Sequence, residues 1–255
     1  MDNIYEIEAA IRLSRSKGVG ASMFKTLIDK YDKPSIALDE WNMAQHNYRN
    51  PFVSEKKNDT EILVCNTLEA IKKGELLAFY YGHSDYPSQL NSLTEPPPIV
   101  YLSSIMKYKP LAAVVGSRKA SYKMLQLAEK HTLKLIEDGY GIVSGGAIGI
   151  DKKAHETALK ANAFTVAVLA NGINVVYPKE NKDLFAHIKE SGVLMTELMI
   201  DAKPQKGFFP TRNRLIAAVA DKIVVLATNK SKGSLITAKW ALKLGKELIL
   251  CQIDD

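Results

Sequence analysis

From Leu111 onward, short apolar runs alternate with amphipathic segments, and glycine-rich turns stand at the ends of several runs. LAAVV (111–115) ends at Gly116-Ser117-Arg118, and GIVS (141–144) ends at Ser144-Gly145-Gly146-Ala147-Ile148-Gly149. TVAVLA, GVLMTEL, KIVVLAT and ELILCQI read as further strands. Residues 121–138, 151–161, the end of VVYPKENKDLFAHIKE, 214–220 and 234–244 read as helices. Apolar runs this short and unbroken suit strands buried on both faces, and their alternation with helices predicts a parallel, doubly wound α/β sheet. Spacing turns Met124, Leu127, Ala128 and Leu135 inward and sets Ala154, Ala158 and Ala161 for close packing on the sheet. His131 and His155 fall on these helices and read as structural.

The part before Leu111 is different. Residues 4–38 read as helical, with Ile4, Ile7 and Ile11 on one face, and Met23, Phe24, Leu27, Ile28 and Tyr31 on another after a break at Lys17-Gly18-Val19-Gly20. Helix, G-V-G, helix is the outline of a helix-hairpin-helix unit, whose amides can meet a phosphate; a tight turn using glycine at positive φ fits as well. A polar loop over 45–60 leads to a helix over 61–73 and then to strands at 77–81 and 99–102, with Glu95-Pro96-Pro97-Pro98 as a stiff connector. The expected organisation is a small helical domain over 1–70 and an α/β domain over 71–255, with no internal repeat.

Composition narrows the class. With 46% hydrophobic and 24% charged residues, the chain is globular rather than disordered. Cys65 and Cys251, far apart, exclude a disulfide framework and a cysteine-based zinc site and favour a reducing, cytoplasmic setting. No apolar run reaches the roughly 18–20 residues of a membrane span, and the acidic N-terminus argues against export. Residues 1–99 carry a net −3 and residues 100–255 a net +9, so the α/β part points to a polyanionic partner.

In open α/β sheets ligands bind where strands end in turns leading to helices. Gly116-Ser117-Arg118 and Ser144-Gly145-Gly146-Ala147 stand there, able to let an anion approach backbone and helix N-terminus. Neither is a P-loop or a G-x-G-x-x-G fingerprint. A third element, Lys206-Gly207-Phe208-Phe209-Pro210-Thr211-Arg212-Asn213-Arg214, gathers cations for phosphates and aromatics for base stacking, with one phenylalanine expected in the core and one outside. The arginines could instead pair with acids such as Glu197. The five histidines lack metal-ligand spacing, Ser144 lacks a G-x-S-x-G context, and no carboxylate pair stands out. No catalytic residue, metal or cofactor is therefore expected. Asp151, the acid of the second turn, is expected to serve as a helix-cap or first-turn carboxylate.

The runs VVGSRKAS, GIVSGGAIGIDKKAHETAL, YPKEN, TEL, FPTRNRLIAAVAD and SKGSLITAKWALKLGKEL, in this order from about Tyr86-Pro87 to the end, resemble the DprA/Smf family of DNA-processing proteins of natural transformation. The resemblance implies an extended Rossmann-like domain that binds single-stranded DNA with little sequence preference, loads the RecA recombinase onto it and forms a homodimer. It implies that Arg118 and Lys206 line the DNA pocket with Phe209 beside a base, together with Gly116, Ser117, Ser144–Ala147 and the Arg212, Asn213, Arg214 element. The N-terminal helices suit the small sterile-alpha-motif-like or helix-hairpin-helix-like domain of many members. A winged-helix domain found in some members is expected to be absent here.

Two other readings compete. Rossmann-like phosphoribohydrolases use a P-G-G-x-G-T-x-x-E loop, but the corresponding Leu226–Thr237 stretch has no Gly-Gly and no glutamate to act as acid or base. A nucleotide-sensing module could use the same glycine turns.

Overall fold

A computed structural model describes residues 4–46, 57–106, 110–227 and 232–252. Most of the polar loop expected over 45–60, part of the Leu226–Thr237 stretch and the chain end lie outside the described residues. The eight strands β1 (Leu77–Tyr80), β2 (Ile99–Leu102), β3 (Leu111–Gly116), β4 (Gly141–Ser144), β5 (Thr165–Val168), β6 (Val193–Thr196), β7 (Lys222–Ala227) and β8 (Glu247–Gln252) form one sheet. Its order is β1-β2-β6-β5-β4-β3-β7-β8. β3 to β8 pair in parallel; β1–β2 and β2–β6 are antiparallel. The fold is α/β with Rossmann-like character, as the alternation required.

Alternate residues of each strand feed opposite faces. Ala113, Val115, Val143, Val166, Val168, Val193 and Val225 point to one side, covered by α8 (Phe208–Val219), α9 (Lys232–Lys243) and the turn that carries Tyr86, Leu90 and Leu93. Ala112, Val114, Ile142, Val224 and Leu226 point to the other, under α5 (Tyr122–Glu137) and α6 (Ile150–Lys160). On that second face, Ala167, Leu194, Ile99, Tyr101 and Ala78 meet α7 (Lys182–Ser191) and the N-terminal helices α1 (Ile4–Arg15), α2 (Ala21–Tyr31), α3 (Pro34–His46) and α4 (Lys57–Lys72). The four N-terminal helices thus share a core with the antiparallel end of the sheet.

Several sequence expectations shift. Met23 is exposed, and the helical face of α2 is Phe24, Leu27 and Ile28. The G-V-G break is a tight turn: Gly18 has φ +85°, and Val19 is buried in the core. Ala161 caps α6 and is exposed, while Ala154 and Ala158 pack as expected; Leu127 is half-buried. The helix expected over 214–220 begins six residues earlier, at Phe208. Pro210 falls in its first turn, where a missing N–H costs no intrahelical bond.

Candidate functional site

The sequence runs β3, β4, β5, β6 outward on one side of β3 and then returns to place β7 on the other. The helix after β3 lies on one face and the helix after β7 on the opposite face, so their connections diverge and leave a crevice at the C-terminal ends of these strands. There a cavity of about 650 Å³ is lined by Gly116, Ser117, Arg118 and Lys119 at and after the end of β3, by Ala147 and Asp151, by Phe209, Pro210, Arg212 and Asn213 on α8, and by Gly233, Ser234, Ile236 and Thr237 on α9. A smaller one of about 80 Å³ adjoins it over Gly145 to Ile148, Leu169 to Asn171 and Tyr177, sharing Arg118, Phe209 and Arg212.

The mouth is basic and aromatic. The Ser117 hydroxyl donates to Lys119 O at 2.9 Å and accepts from Lys119 N at 3.2 Å, a local turn that throws the Arg118 side chain outward. Arg118 is exposed, and its guanidinium lies over the Phe209 ring, 5.1 Å from the centroid. Tyr177, itself 42% exposed, tilts against the same ring at 5.7 Å. Lys206 is exposed just ahead of α8 and lines neither cavity.

Behind the mouth, charges are consumed internally. Arg212 is 6% exposed; its Nη1 donates to Gly145 O and Val168 O, bolting α8 to the ends of β4 and β5. A Cβ on Gly145 would stand 2.6 Å from that guanidinium, so only glycine admits it. Arg212 Nε donates to Asn213 Oδ1 at 3.1 Å, and Asn213 Nδ2 donates to Gly233 O at 3.2 Å, which ties α8 to α9. Arg214 pairs with Glu197 and donates to Glu95 O at 3.0 Å. Burial lowers the Arg212 pKa to about 10, partly offset by Asp151.

Asp151 does more than cap a helix. It is 6% exposed, and its carboxylate accepts long hydrogen bonds of 3.4 Å from Gly116 N in the first glycine turn and Ala147 N in the second. Burial raises its pKa, while Arg212 and these amides pull it down. Gly149, at φ +83°, lets the turns touch, because a Cβ there would meet Ser117 O at 2.3 Å. The amides expected to receive an external anion are thus already turned to an internal one. One turn later on α6, fully buried His155 sets Nδ1 2.8 Å from Thr165 Oγ1, whose proton goes to Ile142 O. The imidazole therefore donates from Nδ1 and is neutral; burial, and secondarily Arg212, lowers its pKa to about 3.

The sequence expectation is met unevenly in space. Gly116, Ser117, Arg118, Ala147, Phe209, Arg212 and Asn213 line the large cleft, and Gly145 and Gly146 line its neighbour. Three expected surface residues turn inward. Ser144 is fully buried and donates to Val114 O at 2.7 Å, Arg212 is spent on Gly145 O and Val168 O, and Arg214 is held by Glu197. Neither phenylalanine enters the core; Phe208 and Phe209 are both half-buried, because α8 starts beside them and sends them to different sides. Sequence reasoning misses Tyr177, Lys119 and the reach of Asp151. YPKEN carries the tyrosine in plain view, but its meeting with Phe209 spans more than thirty residues. Among the described residues no group of three or more His, Cys, Asp or Glu is placed to hold a metal ion, and no helix is long and apolar enough to cross a membrane.

Residues 78–254 match the family model described as DNA recombination-mediator protein A. The chain is 30% identical over 249 residues to protein Smf of Synechocystis, covering 92% of this chain and 62% of that protein. It is 34% identical over 166 residues to DNA processing protein DprA of Bacillus subtilis, covering 64% of this chain and 56% of the relative. The chain thus spans about three fifths of the length of these relatives. The crystal structure of DprA from Streptococcus pneumoniae superposes with a TM-score of 0.72 at 27% identity, over 97% of this chain and 86% of that one. A structure describing the single-stranded DNA binding mode of DNA processing protein A from Helicobacter pylori gives 0.62 at 28% identity, over 69% and 80%.

Proposed function

The chain belongs to the DNA recombination-mediator protein A family, which takes in the DprA and Smf proteins, and on that premise we propose that it holds single-stranded DNA in the β3–β7 crevice and passes it to a recombinase. The observation that carries this reading is Arg118 lying over Phe209 at the mouth. An exposed cation for phosphate and a half-buried aromatic ring for a base stand together, whereas the cations behind them are spent on carbonyls and carboxylates. Stacking is tolerant of sequence because every base has a π-face. Gly116, Ser117, Ala147 and Asn213 shape the wall, and Lys206 adds charge beside it.

In this reading the protein performs no bond chemistry. Asp151 is held by two glycine-turn amides, and no second carboxylate lines the cleft with it to serve as an acid–base partner among the described residues. RecA as the receiving recombinase, a homodimeric assembly, a cytoplasmic setting and a place in natural transformation complete the proposal, on the strength of family membership.

A mobility-shift comparison of equal-length single- and double-stranded DNA at two salt concentrations tests it. Single strands should win the competition. The Arg118→Ala/Lys206→Ala double variant should weaken binding to every sequence and flatten the slope of log K against log salt by about 0.7 per lost contact. Equal competition by duplex, or unchanged affinity in the folded double variant, would sink the assignment.

A further inference from the structure

A third cavity, of about 300 Å³, lies between the N-terminal helices and the sheet, apart from the crevice at Arg118 and Phe209. Its apolar wall is formed by Phe208, Ile99 and Tyr101, and its cations are Arg15 at the end of α1 and Lys203 after β6. Both cations are exposed, and among the described residues neither is paired with a carboxylate. The one acid in the lining, Glu197, is committed to Arg214.

The position of this cavity gives it meaning. The first cleft sits over the ends of β7 and β3, the second over β4 and β5, and the third over β6 and the start of β2. That is their order in the sheet, and β2 runs antiparallel to β6, so Ile99 stands at the same rim. At roughly 4.8 Å per strand the six strands span about 24 Å. Neighbouring residues of one segment serve both ends, since Phe209 faces the first two clefts and Phe208 the third, with Lys206 exposed beside them. The divide between the second and third clefts is firm: Gly172 N donates to Ala202 O at 2.8 Å, and Asn174 N donates to Ile200 O at 3.0 Å.

We propose that the third cavity is a further nucleotide subsite, in which a single strand leaving Phe209 sets a base against Phe208 and its phosphates on Arg15 and Lys203. This rests on the single-strand reading of the first cleft. It gives the N-terminal helices a direct part in holding DNA, through Arg15, although their half of the chain is acidic. A pocket of this size, apolar with two cations in its lining, is suited to one base and its phosphates.

The test uses the full chain, labelled oligothymidylates at the short and long ends of the roughly 4–16-nucleotide range of site sizes, and the exposed-site variant Arg15→Glu/Lys203→Glu. Wild-type protein should bind the long strand at least tenfold more tightly than the short one. The variant should bind the short strand as wild type does and lose most of the gain on the long one. An iodouracil placed toward one end of the long strand should photo-crosslink to Phe208. A variant that binds the long strand normally, or weakens short and long alike, would overturn the subsite. So would thymidine monophosphate occupying the cavity while affinity stays independent of strand length, the behaviour of a separate mononucleotide pocket. Arg118→Ala separates the subsite from the first cleft, because it should weaken both lengths. Failure of wild-type protein to bind either length would instead remove the single-strand reading itself.

Discussion

The two ends of one nine-residue segment use the same chemistry for opposite purposes. From Lys206 to Phe209 the chain stays at the surface, with Lys206 exposed, both phenylalanines half-buried and Arg118 laid across Phe209 from the first glycine turn. From Arg212 to Arg214, one helical turn on, every cation is absorbed by the protein: two carbonyls take Arg212, and Glu197 takes Arg214. A run of basic residues therefore does not have a single role. Its outer half stays at the surface, while its inner half holds the walls of the crevice.

The sharpest way to break this contrast is Arg212→Ala. It strands Gly145 O and Val168 O and leaves buried Asp151 without its nearby positive charge. Urea denaturation should report a loss of about 3–5 kcal/mol, while Arg118→Ala should stay within about 0.5 kcal/mol of wild type. Comparable losses for the two would erase the distinction between brace and mouth.

Phe209→Ala addresses the open half. Removing a stacking platform should cost about 1–3 kcal/mol of single-strand affinity per base lost, with duplex binding little changed. Fluorescence titration of both forms decides it; an equal loss on duplex would mean that Phe209 acts by shaping the loop.

The inner half is sharpened through pH, where the change per unit is small. His155 is held neutral, with a folded pKa of about 3 against an ordinary value near 6.5. Between those values the unfolded chain binds the extra proton, so stability falls as pH drops from about 6.5 toward 3, by up to about 1.4 kcal/mol per pH unit. Asp151 and Glu197 work the other way: their raised pKa values recover some stability as they protonate in acid. Melts of wild type and His155→Asn across this range should differ by about one proton in slope. Parallel curves would mean that His155 is not the buried base.

The sheet was legible because fully buried parallel strands leave unbroken apolar runs, and turns such as Gly145 and Gly149 announce themselves by needing no side chain. The start of α8 was not, since Gly207 and Pro210 look like a turn until the proline is seen to occupy a first helical turn. The clustering of Arg118, Ala147 and Phe209 could be anticipated from strand ends. What the bases inside the segment do could not, because Arg212 finds its partners 44 and 67 residues away and the sequence holds no local trace of them. Ser144 misled for the same reason: its hydroxyl looks available in S-G-G-A, but it donates to Val114 O, 30 residues away on the adjoining strand.

Asp151 has a consequence for competition. A carboxylate fixed four residues from Ala147, and reaching across to Gly116, is present at those amides at an effective concentration that dissolved phosphates and free nucleotides do not match. The protein carries its own competitor. A monomeric nucleotide would have to win its hold on Arg118 and Phe209 alone, with one base and one phosphate cluster, whereas a strand offers both repeatedly and cannot leave from all of them at once. On the single-strand reading proposed above, selection of polymer over monomer would arise from occupancy within the fold, without any element that measures length.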